Sequence, residues 1–248
     1  MLAARAVADG YGAVVAAGGD GTVNEVLNGI GTSGVALGIL PLGTVNVFAL
    51  ELGIPRDLNA AWAVMQTGRT RLIDLAHAQS GSGGRFFAQL AGVGFDARAV
   101  RAANWELKKK IGPLAYVWAG LKVLHERPAD VEVAADGRTA HGVAVFVGNG
   151  RYYGGRFRLF PQARLDDGLL DVCVFERAGY LDVLRYGQGI LRATHPQMRG
   201  VHHFQASTLA CRGATPFELD GEDAGDAPVT FSVKPRALRV IVGDTDHA

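Results

Sequence analysis

Three clusters in this 248-residue chain have residue types and spacing that could do chemistry, and each is built on a glycine turn. The first is Gly18-Gly19-Asp20-Gly21-Thr22, set between the apolar run Gly12 to Ala17 and Val23, Val26, Leu27 and Ile30 at helical spacing. A glycine turn between a strand and a helix lets phosphate oxygens approach the backbone, where free amides and the positive helix end favour an anion. Asp20 would repel that anion unless it faces a metal ion, a proton to be removed or a ligand hydroxyl. The second cluster is Arg164-Leu165-Asp166-Asp167-Gly168-Leu169, in which Asp167 and nearby backbone carbonyls could hold Mg²⁺. The third, Glu218 to Asp226, carries five acids and no base. Crowded carboxylates raise one another's pKa values, which suits a base working near neutral pH. Each cluster also has a plain reading as a turn or an exposed acidic hairpin.

These clusters need elements to position them. Val35 to Leu40 is a second apolar strand candidate, followed by Pro41-Leu42-Gly43-Thr44-Val45-Asn46 and the periodic Val47, Phe48, Leu50 and Leu52. Two strand–turn–helix units in succession predict a parallel α/β sheet with both turns at the carboxyl ends of its strands, where ligands bind. No Gly-Lys-Ser/Thr phosphate loop is present, and the first turn does not match the Gly-x-Gly-x-x-Gly dinucleotide fingerprint.

Gly18-Gly19-Asp20-Gly21-Thr22 with Asn24-Glu25, then Pro41 to Asn46, resembles the diacylglycerol kinase catalytic-domain family, which includes bacterial lipid kinases and sphingosine kinases. The likeness continues through Gly94-Phe95-Asp96-Ala97, Gly148-Asn149-Gly150, Ala163 to Val172 and Leu219-Asp220-Gly221-Glu222, and so covers nearly the whole chain. It implies ATP-dependent, Mg²⁺-dependent phosphorylation of a lipid hydroxyl such as diacylglycerol or a sphingoid. The matching positions place ATP at Gly18, Gly19, Asp20, Gly21, Thr22, Asn24, Glu25, Thr44 and Asn46. They place a metal at the carbonyls of Arg164 and Leu169 and the side chain of Asp167, and catalysis at Asp220 and Glu222, without separating the last two. Many relatives carry an acid where Val47 stands, which argues against strict diacylglycerol specificity. Phosphofructokinases and NAD kinases share the first turn, so an NAD-kinase-like phosphotransferase is the alternative. A catalytically inactive lipid- or nucleotide-binding module is a further one.

The resemblance also implies a strand, helix and strand before the first turn, beginning with an Asn-Pro-x-x-Gly nucleotide loop. No counterpart of that loop occurs here, so a truncated start is expected.

The expected architecture is an incomplete N-terminal parallel α/β domain over residues 1–72, phosphofructokinase/NAD kinase-like. A β-sandwich-like domain over 73–243 and a tail at 244–248 follow. Asp57 should cap a helix from Leu58 to Gln66 that Gly68 ends. Eight strand candidates follow: Leu72–Ala78, Phe86–Val93, Val131–Ala135, Val143–Val147, Leu169–Phe175, Gln205–Cys211, Val229–Val233 and Leu238–Val242. Asp171, alternating with Leu170 and Val172, should face solvent. Ser80 to Gly84 reads as a hairpin loop, and helical insertions are expected at about Asp96–Glu126 and Tyr180–Ala193.

Composition limits the partners. A net charge of +1 gives no steering toward nucleic acid, and none is expected as a partner. No apolar run reaches the roughly 20 residues a membrane span needs, and the N-terminus lacks a signal pattern. Cys173 and Cys211, without partner motifs, should be reduced and buried, as in a cytoplasmic protein. Residues 96–127 carry seven basic residues against three acids, interleaved with Trp105, Tyr116 and Trp118. Such a helix suits peripheral contact with the anionic inner membrane face where the lipid lies, or a solvated face of its own domain. A homodimer is compatible with the sequence.

Overall fold

A computed structural model describes residues 2–102 and 129–243 of the chain. Helix α1 (Leu2–Ala8) lies against α2 (Asp20–Ile30). Strand β1 (Ala13–Gly18) runs into α2, and β2 (Ala36–Pro41) into the short α3 (Val47–Glu51). The two strands pair in parallel, from Ala13 opposite Ala36 to Gly18 opposite Pro41, so both glycine turns emerge at one carboxyl edge. Asp57 caps α4 (Leu58–Thr67) by accepting from the Ala60 amide, and Gly68 ends it in the left-handed region.

The remaining strands form a sandwich. One sheet holds β1, β2, β3 (Thr70–Ser80), β4 (Gly83–Phe87), β6 (Val131–Ala135), β7 (Arg138–Gly142), β13 (Thr208–Arg212) and β16 (Val229–Ile241). The other runs β12 (Val201–Ala206), β11 (Leu170–Phe175), β8 (Ala144–Gly148), β5 (Leu90–Gly94), β14 (Pro216–Leu219) and β15 (Glu222–Asp226). Both contribute to a core that includes Phe87, Val93, Val147, Val172, Leu209, Phe217 and Phe231. On the outer face of the second sheet, Tyr186 of α6 (Tyr180–Leu191) packs with Phe146, Cys173 and Phe175. The expected fold class is the observed one.

The boundary expected at residue 72 falls inside β3, however. Long strands β3 and β16 run through both halves, and Val240 of β16 pairs with Leu37 of β2. Ile73, Leu75, Leu238 and Val240 therefore pack in the first core with Leu27 and Leu37. The two layers share a sheet, so the site between them rests on continuous strands.

Three strand expectations are also corrected. Phe86–Val93 is two strands broken at Ala88-Gln89, whose amides bond a side chain instead of a ladder. Gln205–Cys211 breaks at Ser207 into strands of different sheets. Val229–Val233 and Leu238–Val242 are one strand with a register shift between Lys234 and Leu238. Asp171 is buried rather than solvent-facing, because β11 is covered on both faces. Gln205 Nε2 donates to its Oδ2 at 3.2 Å.

The loop around Gly81 and Ser82 joins β3 to β4 as expected. Helix α5 (Phe95–Ala102) opens the first helical insertion, but most of the basic segment 96–127 lies outside the described residues. Cys173 and Cys211 are free and buried. No helix among the described residues is long and apolar enough to cross a membrane. Helix α6 nevertheless exposes Leu181 (82%), Leu184 and Leu191, beside exposed Arg177 and Arg192.

Candidate active site

The two early turns interlock. A Cβ on Gly43 would lie 2.5 Å from Gly19 Cα, so the second turn has no room for a side chain at the crossing. The Leu42 amide donates to Gly18 O (3.1 Å), and the Phe48 amide donates to Asp20 Oδ1 (3.2 Å). Asp20 thus sits in the first turn of α2 and ties it to α3. Asn46 adopts the left-handed region, accepts from the Gly43 amide (2.9 Å) and donates to Gly43 O (2.7 Å). Gly19, the N-cap of α2, supplies no side-chain capping bond, which leaves the first-turn amides to an outside acceptor. Thr22, Glu25 and Thr44 are exposed around these turns. The Thr44 carbonyl accepts from Arg56 (2.8 Å).

The late acidic hairpin reaches this place from the sandwich. Asp220 and Gly221 have φ of 50° and 84° between paired Leu219 and Glu222, the geometry of a two-residue Asp-Gly turn. The Asp220 side chain turns inward. Its Oδ2 accepts from Asn24 Nδ2 (2.7 Å) and the Ala88 amide (2.7 Å), and its Oδ1 from the amides of Gln89 (2.9 Å) and Leu90 (3.0 Å). Burial pushes this carboxyl up from its ordinary value, while the four donors pull it back. Glu222 points the other way and its side chain is 46% exposed. A Cβ on Gly21 would stand 2.9 Å from Glu222 Oε1, so the carboxylate lies against the start of α2.

Arg85 closes the cluster. Its Nη2 donates to Glu222 Oε2 (2.9 Å) and to Asn24 Oδ1 (2.9 Å). Asn28 brackets Phe86, accepting from its amide and donating to its carbonyl, each at 2.9 Å.

The Asp-Asp-Gly turn is separately held. Fully buried Asp74 accepts from the amides of Gly168 and Arg236, both at 2.7 Å. Asp166 is taken up by Arg71 (2.8 Å). Asp167 Oδ1 accepts from the Leu169 amide (3.0 Å), and burial, then the charges of Asp171 and Asp74, push its carboxyl up. Among the described residues, no cluster of three or more His, Cys, Asp or Glu side chains could hold a metal.

The structure therefore brings Gly18, Gly19, Asp20, Gly21, Asn24, Asn46, Asp220 and Glu222 together, and leaves Arg164, Asp167 and Leu169 on a turn of their own. Sequence reasoning missed Asp74 and Arg85, and named Glu218 only as a member of the acidic cluster. Asp74 had a signal, a lone acid between Ile73 and Leu75 in an apolar run. Arg85, next to a glycine- and serine-rich loop, had none.

Parallel glycine turns fed by a β-sandwich, with an acidic hairpin delivered to those turns, define the two-layer fold of lipid and NAD kinases. Residues 1–78 match the diacylglycerol kinase catalytic domain, and residues 89–242 the YegS C-terminal NAD kinase beta sandwich-like domain. The chain is 38% identical to a protein of Pseudomonas aeruginosa named as a YegS-like lipid kinase, covering 95% of this chain and 78% of that one. It is 32% identical to a diacylglycerol kinase of Bacillus subtilis, covering 92% and 77%. A diacylglycerol kinase structure from Bacillus anthracis has the same fold, with a TM-score of 0.76 at 23% identity over 98% of this chain and 82% of that one. An NAD kinase from Archaeoglobus fulgidus has a TM-score of 0.51 at 10% identity, over 94% and 78%. The chain belongs to the diacylglycerol kinase family of lipid kinases.

Proposed function

We propose that this protein transfers the γ-phosphoryl group of ATP to a lipid hydroxyl, with Glu222 as the general base. The observation that carries the reading is the placement of Glu222 against Gly21, at the amide-rich start of α2. Phosphate oxygens rest on the free amides of that turn, with Gly43 and Asn46 shaping the neighbouring one. Glu222 accepts the proton of the attacking hydroxyl, and its oxygen attacks the γ-phosphorus in line while the bridging oxygen leaves with ADP. Asp220 takes no part in that proton transfer, because its two oxygens already accept from four donors. It anchors the hairpin on which Glu222 rides. The Arg85 contact at 2.9 Å keeps Glu222 aimed.

The donors near Asp167 fit a hard cation. Burial, then the negative charges of Asp171 and Asp74, push the Asp167 carboxyl up, and a cation at its oxygens would offset that charge. Asp167 and the carbonyls of Arg164 and Leu169 would hold such an ion, which would offset the negative charge of that turn. Asp20 keeps Oδ2 for the nucleotide side of the site.

The acceptor is a membrane lipid, reached peripherally from the cytoplasmic side. Leu181, Leu184 and Leu191 with Arg177 and Arg192 supply an apolar, basic surface suited to an anionic bilayer.

Incubation with γ-labelled ATP, Mg²⁺ and mixed micelles of diacylglycerol, sphingoid base or ceramide tests the reading. Label in a lipid phosphate is expected. Label in NADP with NAD as acceptor would favour the other branch of the fold, and nucleotide binding without any turnover would leave only a binding module.

A further inference from the structure

Beneath the Asp220–Glu222 hairpin lies a second pair of acids that the reaction above does not use. Asp96, on the first turn of α5, is 8% exposed, and Glu218, on β14, is 1% exposed. Each carboxyl bears on the ionisation of the other. They meet over Gly92 of β5, where a Cβ would lie 2.6 Å from Asp96 Oδ2 and 2.8 Å from Glu218 Oε1. Tyr153 Oη donates to Asp96 Oδ1, and the Gly221 amide donates to Glu218 Oε2 at 2.6 Å. Asp96 Oδ2 is fully buried and receives no N–H or hydroxyl donor.

Two carboxylates in contact in a dry site cannot both be ionised. A proton between Glu218 Oε1 and Asp96 Oδ2 supplies the missing donor and removes one charge. Each of the four oxygens then has one bonding partner. We infer that Asp96 and Glu218 hold one proton between them and act as a positioning pair, fixing the Glu222 hairpin through the Gly221 amide.

Among the described residues, the other ionisable groups facing the pair are Tyr153 from β9 (Tyr152–Tyr153) and Asp220 from the hairpin. Arg101 of α5 is engaged instead by Asp223 and Asp226 at 2.8 Å, clamping β15 to the same helix. Burial raises both carboxyls, Glu218 well above the ordinary range. Because the folded state holds the proton more tightly than the unfolded chain, the pair's stabilisation is complete at low pH and is lost as pH rises through the folded pKa. Loss of that proton places two anions under the hairpin, and their mutual repulsion displaces Glu218 from its place beneath Gly221.

Infrared difference spectra of the purified chain at neutral pH, wild type against Glu218→Gln, test the shared proton without reference to any substrate. The expected result is a protonated-carboxyl C=O band that disappears in the variant; no such band, or one unchanged in the variant, overturns the inference. The positioning role rests on the lipid kinase reading and is tested by kinetics. Glu218→Ala should lower kcat roughly tenfold or more with KM for ATP nearly unchanged. Glu218→Gln keeps an acceptor for Gly221 and a donor for Asp96, and should recover most of that loss and shift the alkaline limb of the pH–rate profile. Equal losses in the two variants, or identical alkaline limbs in wild type and Glu218→Gln, would refute the positioning role. If Glu218→Ala does not fold, the alkaline-limb comparison with Glu218→Gln decides it.

Discussion

Asn24 donates to Asp220 across 2.7 Å, although 196 positions separate them in the chain. This bond joins the helix of the first glycine turn to the hairpin that carries Glu222. Asn24→Ala removes one of the four donors of an inward-facing, half-buried carboxylate and should cost about 1–3 kcal/mol. Thermal melting should fall by about 2–4 °C for each kcal/mol in a domain of this size. An unchanged melting temperature would show that the bond contributes nothing to joining the layers.

The crossing of the two early turns leaves no room at Gly43. Gly43→Ala forces a methyl against Gly19 Cα and Asn46 Oδ1, with costs of about 1–3 kcal/mol expected for such overpacking. The displacement falls on the phosphate-side amides, so titration calorimetry should show weaker ATP binding in a chain that still folds. Wild-type affinity would place the nucleotide elsewhere.

Acid should loosen the β15 edge. Arg101 holds the Asp223 carboxyl below its usual value, mainly through their hydrogen bonds. A depressed folded pKa contributes stability that is present above the unfolded value and lost as pH falls below about 4. Both partners are substantially exposed, so the effect is small and screened by salt. Denaturant melts from pH 6 to pH 3 should show a shallower acid loss for Arg101→Ala than for wild type. Superimposed curves would remove the clamp.

Leu181 and Leu184 give the membrane surface a direct test. Burial of an exposed leucine in the interface is worth about 1.5 kcal/mol or more, roughly tenfold in binding for each. Leu181→Glu with Leu184→Glu should abolish sedimentation with anionic phospholipid vesicles. Undiminished sedimentation would assign the contact to another surface.

Much of this architecture was legible beforehand, for physical reasons. The strand–turn–helix units read clearly because buried parallel strands are continuous apolar runs and their turns need glycine. The pairing of Asp57 with Gly68 marked α4 at both ends. The chain's return to the first core was hidden, since nothing local distinguishes Leu238–Ile241 from the sandwich strands until its partner β2 is known. Burial of Asp171 was hidden for the same reason: alternation with apolar neighbours signals an open face only if nothing covers that face. At the site, Asp220 and Glu222 could be named but not separated. Their positions diverge because an Asp-Gly turn sends one carboxylate inward to four donors and the other outward to Gly21. The partners that decide this, Asn24, Ala88, Gln89, Leu90 and Arg85, come from distant segments.

The central claim is that Glu222, held against the first glycine turn, is the base of phosphoryl transfer. The most direct measurement is transfer of label from γ-labelled ATP to a lipid acceptor by wild type and Glu222→Gln, with ATP affinity and melting temperature recorded for both. The account predicts that kcat falls by about 10²–10⁴ in the variant while ATP binding and melting remain near wild type. A variant that phosphorylates lipid at the wild-type rate would contradict it.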